Sequence, residues 1–109
     1  LFILSATLGA RLCGAKKHTI DCLTAYAKNL GLAYQVVDDI LETDSSPGEL
    51  GKQAHPAGRR RTFVSVFGLE ASRVIARDLL ATARNALTPF GPRASLLLGL
   101  ADYIYSRKV

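Results

Sequence analysis

The chain has 109 residues, with 14 Lys or Arg against 9 Asp or Glu, giving a formal charge of +5 and an isoelectric point near 9.6. That length holds one domain or part of one, and a domain of this size can bury a core on its own. The basic excess does not make a nucleic-acid binder, because the run Arg59, Arg60, Arg61 has no interleaved aromatic residues. A hydrophobic share of 49% is high for a soluble domain of this size, and it points to apolar surfaces that meet further helices or a second subunit.

The pattern is helical from end to end, with no strand alternation, internal repeat or low-complexity tract. A first helix is predicted over residues 1–12. Its apolar run before Arg11 falls short of the ~20 residues a membrane span needs, and it lacks the basic lead of a signal peptide. A buried helix end is expected, in a cytoplasmic protein. Gly14, Ala15, Lys16 and Lys17 break this helix. The second is expected to start at Thr19, as N-cap with Asp21 in the first turn, and to run to about Thr43. Residues 44–48 read as a turn cluster, followed by an irregular loop to Arg61 that carries Lys52 and His55. A short helix or turn is predicted over residues 62–67, then an amphipathic helix over residues 69–87. In that helix Ile75, Leu79, Ala83 and Leu87 recur every four residues, while Arg73, Arg77 and Arg84 fall on other faces. Pro89, Phe90, Gly91 and Pro92 end it, and Pro92 suits the start of a last helix that reaches Arg107.

Cys13 and Cys22, with His18 between them, offer three ligands at intervals unsuited to structural zinc, and the cysteines read as reduced, partly buried thiols. His55, alone in its loop, reads as solvated.

Residues 31–42, GLAYQVVDDILE, set three carboxylates into an otherwise apolar helical stretch. At 100° per residue Gly31, Gln35, Asp38 and Glu42 fall on one narrow line, with Asp39 beside it. Leu32, Ala33, Val36, Val37, Ile40 and Leu41 fill the remaining arc. A surface helix shows a broad polar face, whereas this one is polar along a single acidic line, which is expected to face a cavity inside a helical protein. Neighbouring carboxylates in an apolar setting repel unless a cation lies between them. Mg²⁺ suits the place, because it binds through one or two carboxylates and leaves its other positions to substrate phosphates and water. On spacing alone, the alternative is an Asp-Asp pair that merely closes the solvent face of a helix.

The stretch 31–42, followed by Glu49, Leu50, Gly51 and Lys52, then Thr62 and Phe63, then Gly68, Leu69 and Glu70, resembles the trans-isoprenyl diphosphate synthases. These are the farnesyl and geranylgeranyl diphosphate synthase group of the polyprenyl synthetase family. Residues 31–42 look like the second aspartate-rich motif of that family, Gly-x-x-Phe-Gln-x-x-Asp-Asp-x-x-Asp, with Tyr34 replacing the Phe and Glu42 the last Asp. Residues 100–107, LADYIYSR, look like the last helix of the family, so the resemblance covers essentially all 109 residues. The family's first aspartate-rich motif has no counterpart here, and neither has the Lys-Thr pair that precedes a Leu-Phe like Leu1 and Phe2. Residues 1–109 are accordingly expected to be the C-terminal portion of one longer synthase domain.

The resemblance implies an all-α fold, the C-terminal part of an isoprenoid-synthase-type helical bundle. It implies condensation of isopentenyl diphosphate with an allylic diphosphate, assisted by Mg²⁺ on Asp38, Asp39 and Glu42. Lys52 and Arg60 would lie on the diphosphate. Gln35 would orient its end or turn an amide dipole toward the allylic cation, and Tyr34 would line the isopentenyl side. A homodimer is implied for the full-length protein, with no nucleic acid and no membrane span. Residues 1–109 alone are expected to be inactive without the first motif. One departure is the lack of any acidic residue between Lys52 and Thr62, where the family commonly places an Asp. Two other readings stay open: a terpene cyclase on the same scaffold, and a non-catalytic helical partner of a synthase subunit.

Overall fold

The apolar opening run forms α1, Phe2–Leu12. It ends in a backbone turn that needs no side-chain cap: Gly14 takes φ 75°, the Gly14 N–H donates to the Arg11 carbonyl and the Ala15 N–H to the Ala10 carbonyl, both at 3.0 Å. This paired closure with a left-handed glycine uses two carbonyls that the helix end would otherwise leave unbonded. The computed structural model describes residues 1–44 and 62–107, which contain no strand.

The turn is short enough that α2, Lys17–Asp44, starts two residues before the expected cap. The Lys16 carbonyl accepts the Ile20 N–H at 3.0 Å, and Lys17 pairs with Asp21 at 3.0 Å. Thr19 therefore lies within the first turn, and the backbone of Lys16 begins the helix. At 28 residues α2 is about 42 Å long and sets the long axis of a molecule measuring 49 × 22 × 22 Å. The hairpin turn lays α1 back along α2, with Phe2 against Gly31: a side-chain carbon at Gly31 would lie 3.4 Å from the Phe2 Cβ and Cγ.

The short element expected at residues 62–67 is a helix, α3, Phe63–Phe67. Thr62 and Ser65 form a reciprocal capping box: the Ser65 N–H donates to Thr62 Oγ1 at 3.0 Å and the Thr62 N–H to Ser65 Oγ at 2.8 Å. Gly68, at φ 93°, turns the chain into α4, Leu69–Ala86. A 3-10 segment, Thr88–Ala94, follows, and α5, Ser95–Ser106, completes the fold. The last helix thus starts three residues later than Pro92 suggests, because Gly91 at φ 60° breaks the helical path just before the proline.

The core lies where α4 and α5 pack on α2. From α2 come Tyr26, Leu30, Ala33, Val36, Val37 and Ile40; from α4, Ala76, Leu80 and Ala83; beyond them, Leu87, Ala101 and Ile104. The buried stripe of α4 runs Ser72, Ala76, Leu80, Ala83, so Ile75 and Leu79, expected on the apolar face, flank it as partly buried residues. Three of the four residues in that stripe are small, and the branched Ile75 and Leu79 lie at its edge. The opening helix also departs from expectation. One face of α1 rests on α2, but Leu4, Leu8 and Leu12 are exposed, and only Ala10 of the helix is buried. No other described element covers that face, so the expected buried helix end is not found. No helix among the described residues is long and apolar enough to cross a membrane.

Tyr26 links α2 to α5 by donating its Oη–H to the Leu97 carbonyl at 2.8 Å. Burial disfavours the phenolate and holds the Tyr26 pKa above its ordinary 10.0. A pKa raised on folding gives stabilisation that is complete below the unfolded value and lost as pH rises through the folded one. Tyr26→Phe is expected to lower stability by about 1 kcal/mol in urea unfolding at neutral pH. The substituted protein should also lose stability less steeply above pH 10.0 than the parent does.

Candidate active site

The second half of α2 divides its polar residues between two environments. Val36, Val37 and Ile40 turn into the core, and Asp39 goes with them at 4% exposure. Asp38 lies 100° away and is partly exposed, while Gln35 and Glu42 are exposed. The acidic line expected to face an internal cavity faces outward in this chain, with Gln35 and Glu42 exposed and Arg107 reaching it at Asp38.

Asp39 is tied on both oxygens. Gln35 Nε2 donates to Oδ1 and the Phe63 N–H donates to Oδ2, each at 3.0 Å. The second bond satisfies the first amide of α3, so a buried carboxylate sits at the start of that helix, where the helix dipole also favours negative charge. Thr43 adds a bond from Oγ1 to the Asp39 carbonyl at 3.1 Å. A carboxylate only accepts hydrogen bonds, so the Gln35 amide must present its NH₂ to Asp39 and its carbonyl oxygen elsewhere.

Asp38 has a different partner. Arg107 Nη2 donates to Asp38 Oδ1 at 2.8 Å, across a sequence separation of 69 residues. The same guanidinium stands over the Tyr34 ring, 4.3 Å from its centroid. Phe2 flanks that ring with centroids 5.5 Å apart. Tyr34 therefore joins the first turn of α1 and the residue after α5 at one point on α2. Arg107 belongs to this site although the motif reading treats it only as the end of a helix. No local signal marks it, because the contact depends on how α5 packs.

Glu42 follows Asp38 by one turn and has no partner among the described residues. Among those residues no three His, Cys, Asp or Glu side chains converge to hold a metal ion. The donor chemistry suits Mg²⁺ in part: Asp38 and Glu42 are hard oxygen donors that reach solvent, while Asp39 has both oxygens engaged inside. Lys52, Arg60 and His55 lie outside the described residues. Elsewhere, Cys22 Sγ lies 3.7 Å from His18 Nε2, Cys13 is exposed, and both cysteines are free thiols.

An all-helical chain with an aspartate-rich line on its longest helix has the architecture of an isoprenoid-synthase-type bundle. Residues 1–86 match the family model of polyprenyl synthetase, and the chain belongs to that family. It is 38% identical over 101 residues to a dimethylallyltranstransferase of Fischerella ambigua (strain UTEX 1903), which covers 91% of this chain and 29% of that protein. It is 41% identical over 106 residues to a chloroplastic geranylfarnesyl diphosphate synthase of Leucosceptrum canum, covering 94% and 29%. It is likewise 41% identical over 107 residues to chloroplastic geranylgeranyl pyrophosphate synthase 9 of Arabidopsis thaliana, with the same two shares, 94% and 29%. The chain thus spans about 29% of the length of these relatives.

The hydrogen bonds of Asp39 separate a structural role from a purely ligating one. Asp39→Ala leaves the Phe63 N–H without its partner and is expected to lower stability by about 1–3 kcal/mol. Asp39→Asn, with the exposed Gln35 amide turned over, retains both bonds and should cost well under half as much. Urea midpoints of the two variants check the ordering.

Proposed function

We propose that the full-length protein is a Mg²⁺-dependent trans-prenyltransferase. It condenses isopentenyl diphosphate with an allylic diphosphate to give a short-chain prenyl diphosphate such as farnesyl or geranylgeranyl diphosphate. The observation that carries this reading is the outward line of Gln35, Asp38 and Glu42 on α2, in a chain of the polyprenyl synthetase family. Bound Mg²⁺ would supply positive charge to the departing diphosphate. Asp38 is the principal residue to hold it, with Glu42 one turn on, directly or through water. Asp39 supports them from behind, by fixing α2 to the start of α3.

The remaining roles follow from the chemistry of each side chain. Loss of diphosphate leaves an allylic cation that must be kept from water and stabilised by groups already in place. Gln35, its NH₂ spent on Asp39, has its carbonyl oxygen free to face that cation. Tyr34, held between Phe2 and Arg107, lines the isopentenyl side with its exposed edge. Lys52 and Arg60 neutralise the diphosphate, a role that suits an ammonium and a guanidinium. The synthase domain includes residues 1–109, works as a homodimer and resides in the cytoplasm; the chloroplastic location is said of the plant relatives alone.

With Mg²⁺, the full-length protein is expected to extend an allylic diphosphate at the expense of isopentenyl diphosphate. Asp38→Ala should lower that turnover by about a hundredfold or more. Residues 1–109 by themselves should give none. Radiolabelled isopentenyl diphosphate counted in the extracted product measures all three, and unchanged turnover in D38A would remove the site assignment.

A further inference from the structure

We infer that Arg107 is the resident counter-ion of Asp38, holding that carboxylate in place and yielding it when a divalent cation binds. The inference rests on the proposed role of Asp38 as a metal ligand.

Three contacts fix the guanidinium: the 2.8 Å bond to Asp38 Oδ1, the stacking 4.3 Å over Tyr34, and a 3.4 Å bond from Nε to the Ile104 carbonyl. The backbone at Arg107 leaves the helix in an extended conformation, φ −66° and ψ 125°, just where its side chain folds back onto α2. The Arg107 side chain is 20% exposed and that of Asp38 40%, so the pair is drier than an ordinary surface bridge yet open on one side.

The charge balance of the line explains the arrangement. Asp39 is compensated by the Phe63 amide and Gln35. Asp38, next to it in the chain and one turn from Glu42, gets its compensation from Arg107. The contact is made through one guanidinium nitrogen and one carboxylate oxygen, not as the stronger two-bond fork. Oδ2 of Asp38 therefore has no hydrogen-bond partner among the described residues and remains available to an incoming cation. Such a monodentate, half-open pair is weak enough to exchange. Cation occupancy at Asp38 then detaches the residue after α5 from Asp38 and from the Tyr34 ring.

Titration calorimetry of Mn²⁺ into the full-length protein, without substrate, tests the exchange. Arg107→Gln is expected to bind Mn²⁺ about fivefold more tightly than the parent, because a competing cation has gone. Arg107→Lys, which keeps the charge but gives up the stack on Tyr34 and the bond to Ile104, should fall between the parent and R107Q. A merely structural role predicts the opposite sign, since a loosened site binds less well. Unchanged or weaker binding in R107Q, with binding lost in Asp38→Asn, overturns the counter-ion role and leaves the metal reading standing. Equal binding in the parent and D38N overturns both. A second readout needs no change at residue 107: saturating Mg²⁺ should shift the Arg107 Nε resonance in the parent but not in D38N. A resonance that does not move in the parent overturns the proposal.

Discussion

A buried carboxylate organises this molecule. Removing a charge from water is costly unless each of its oxygens finds a donor, and Asp39 meets that requirement with the Gln35 amide on one side and the first N–H of α3 on the other. The bond to Phe63 spans 24 residues of chain and pins the start of α3 to α2. Because Gly68 alone separates α3 from α4, that pin also sets where α4 comes down on the long helix. Breaking it would leave a buried charge and the unpaired first amide of α3 at once. Each group makes the other tolerable.

With Asp39 committed inward, the rest of the motif divides accordingly. α2 is lined on its inner side by residues that let other helices come close: Ala33 shares the core with Ala76 and Ala83 of α4, and all three are fully buried. Its outer line is left with Gln35, Asp38 and Glu42. Helix rotation alone separates the adjacent aspartates, but packing decides which of the two is desolvated. The outward one receives a cation from the far end of the chain. Tyr34, between Phe2 and Arg107, shows that both ends of the described chain converge on the acidic line.

The helices were legible because each rests on local periodicity and breakers: α1, α3 and α4 lie within a residue of the ranges expected for them. Boundaries moved where backbone bonds replaced side-chain signals, as when the Lys16 carbonyl starts α2 ahead of Thr19 and Gly91 delays α5 past Pro92. The buried face of α4 was harder to read. Hydrophobicity draws attention to Ile75 and Leu79, whereas the fully inward stripe includes the small Ser72, Ala76 and Ala83. Size against a neighbouring helix is a property of the pair, which one strand of sequence does not carry.

Residues 31–42 alone determined that an acidic line with Gln35, Asp38 and Glu42 would run along a helix, and that it resembled a prenyl synthase motif. Both follow from short-range spacing, since residues three and four apart must share a helix face. Only the tertiary structure decided that Asp39 is a buried tie and Asp38 an open carboxylate paired with Arg107. Helix periodicity places the two aspartates 100° apart, but nothing in residues 31–42 says which carboxylate will be desolvated. What separates them is the position of α3 and the end of α5, elements brought to α2 from 24 and 69 residues away.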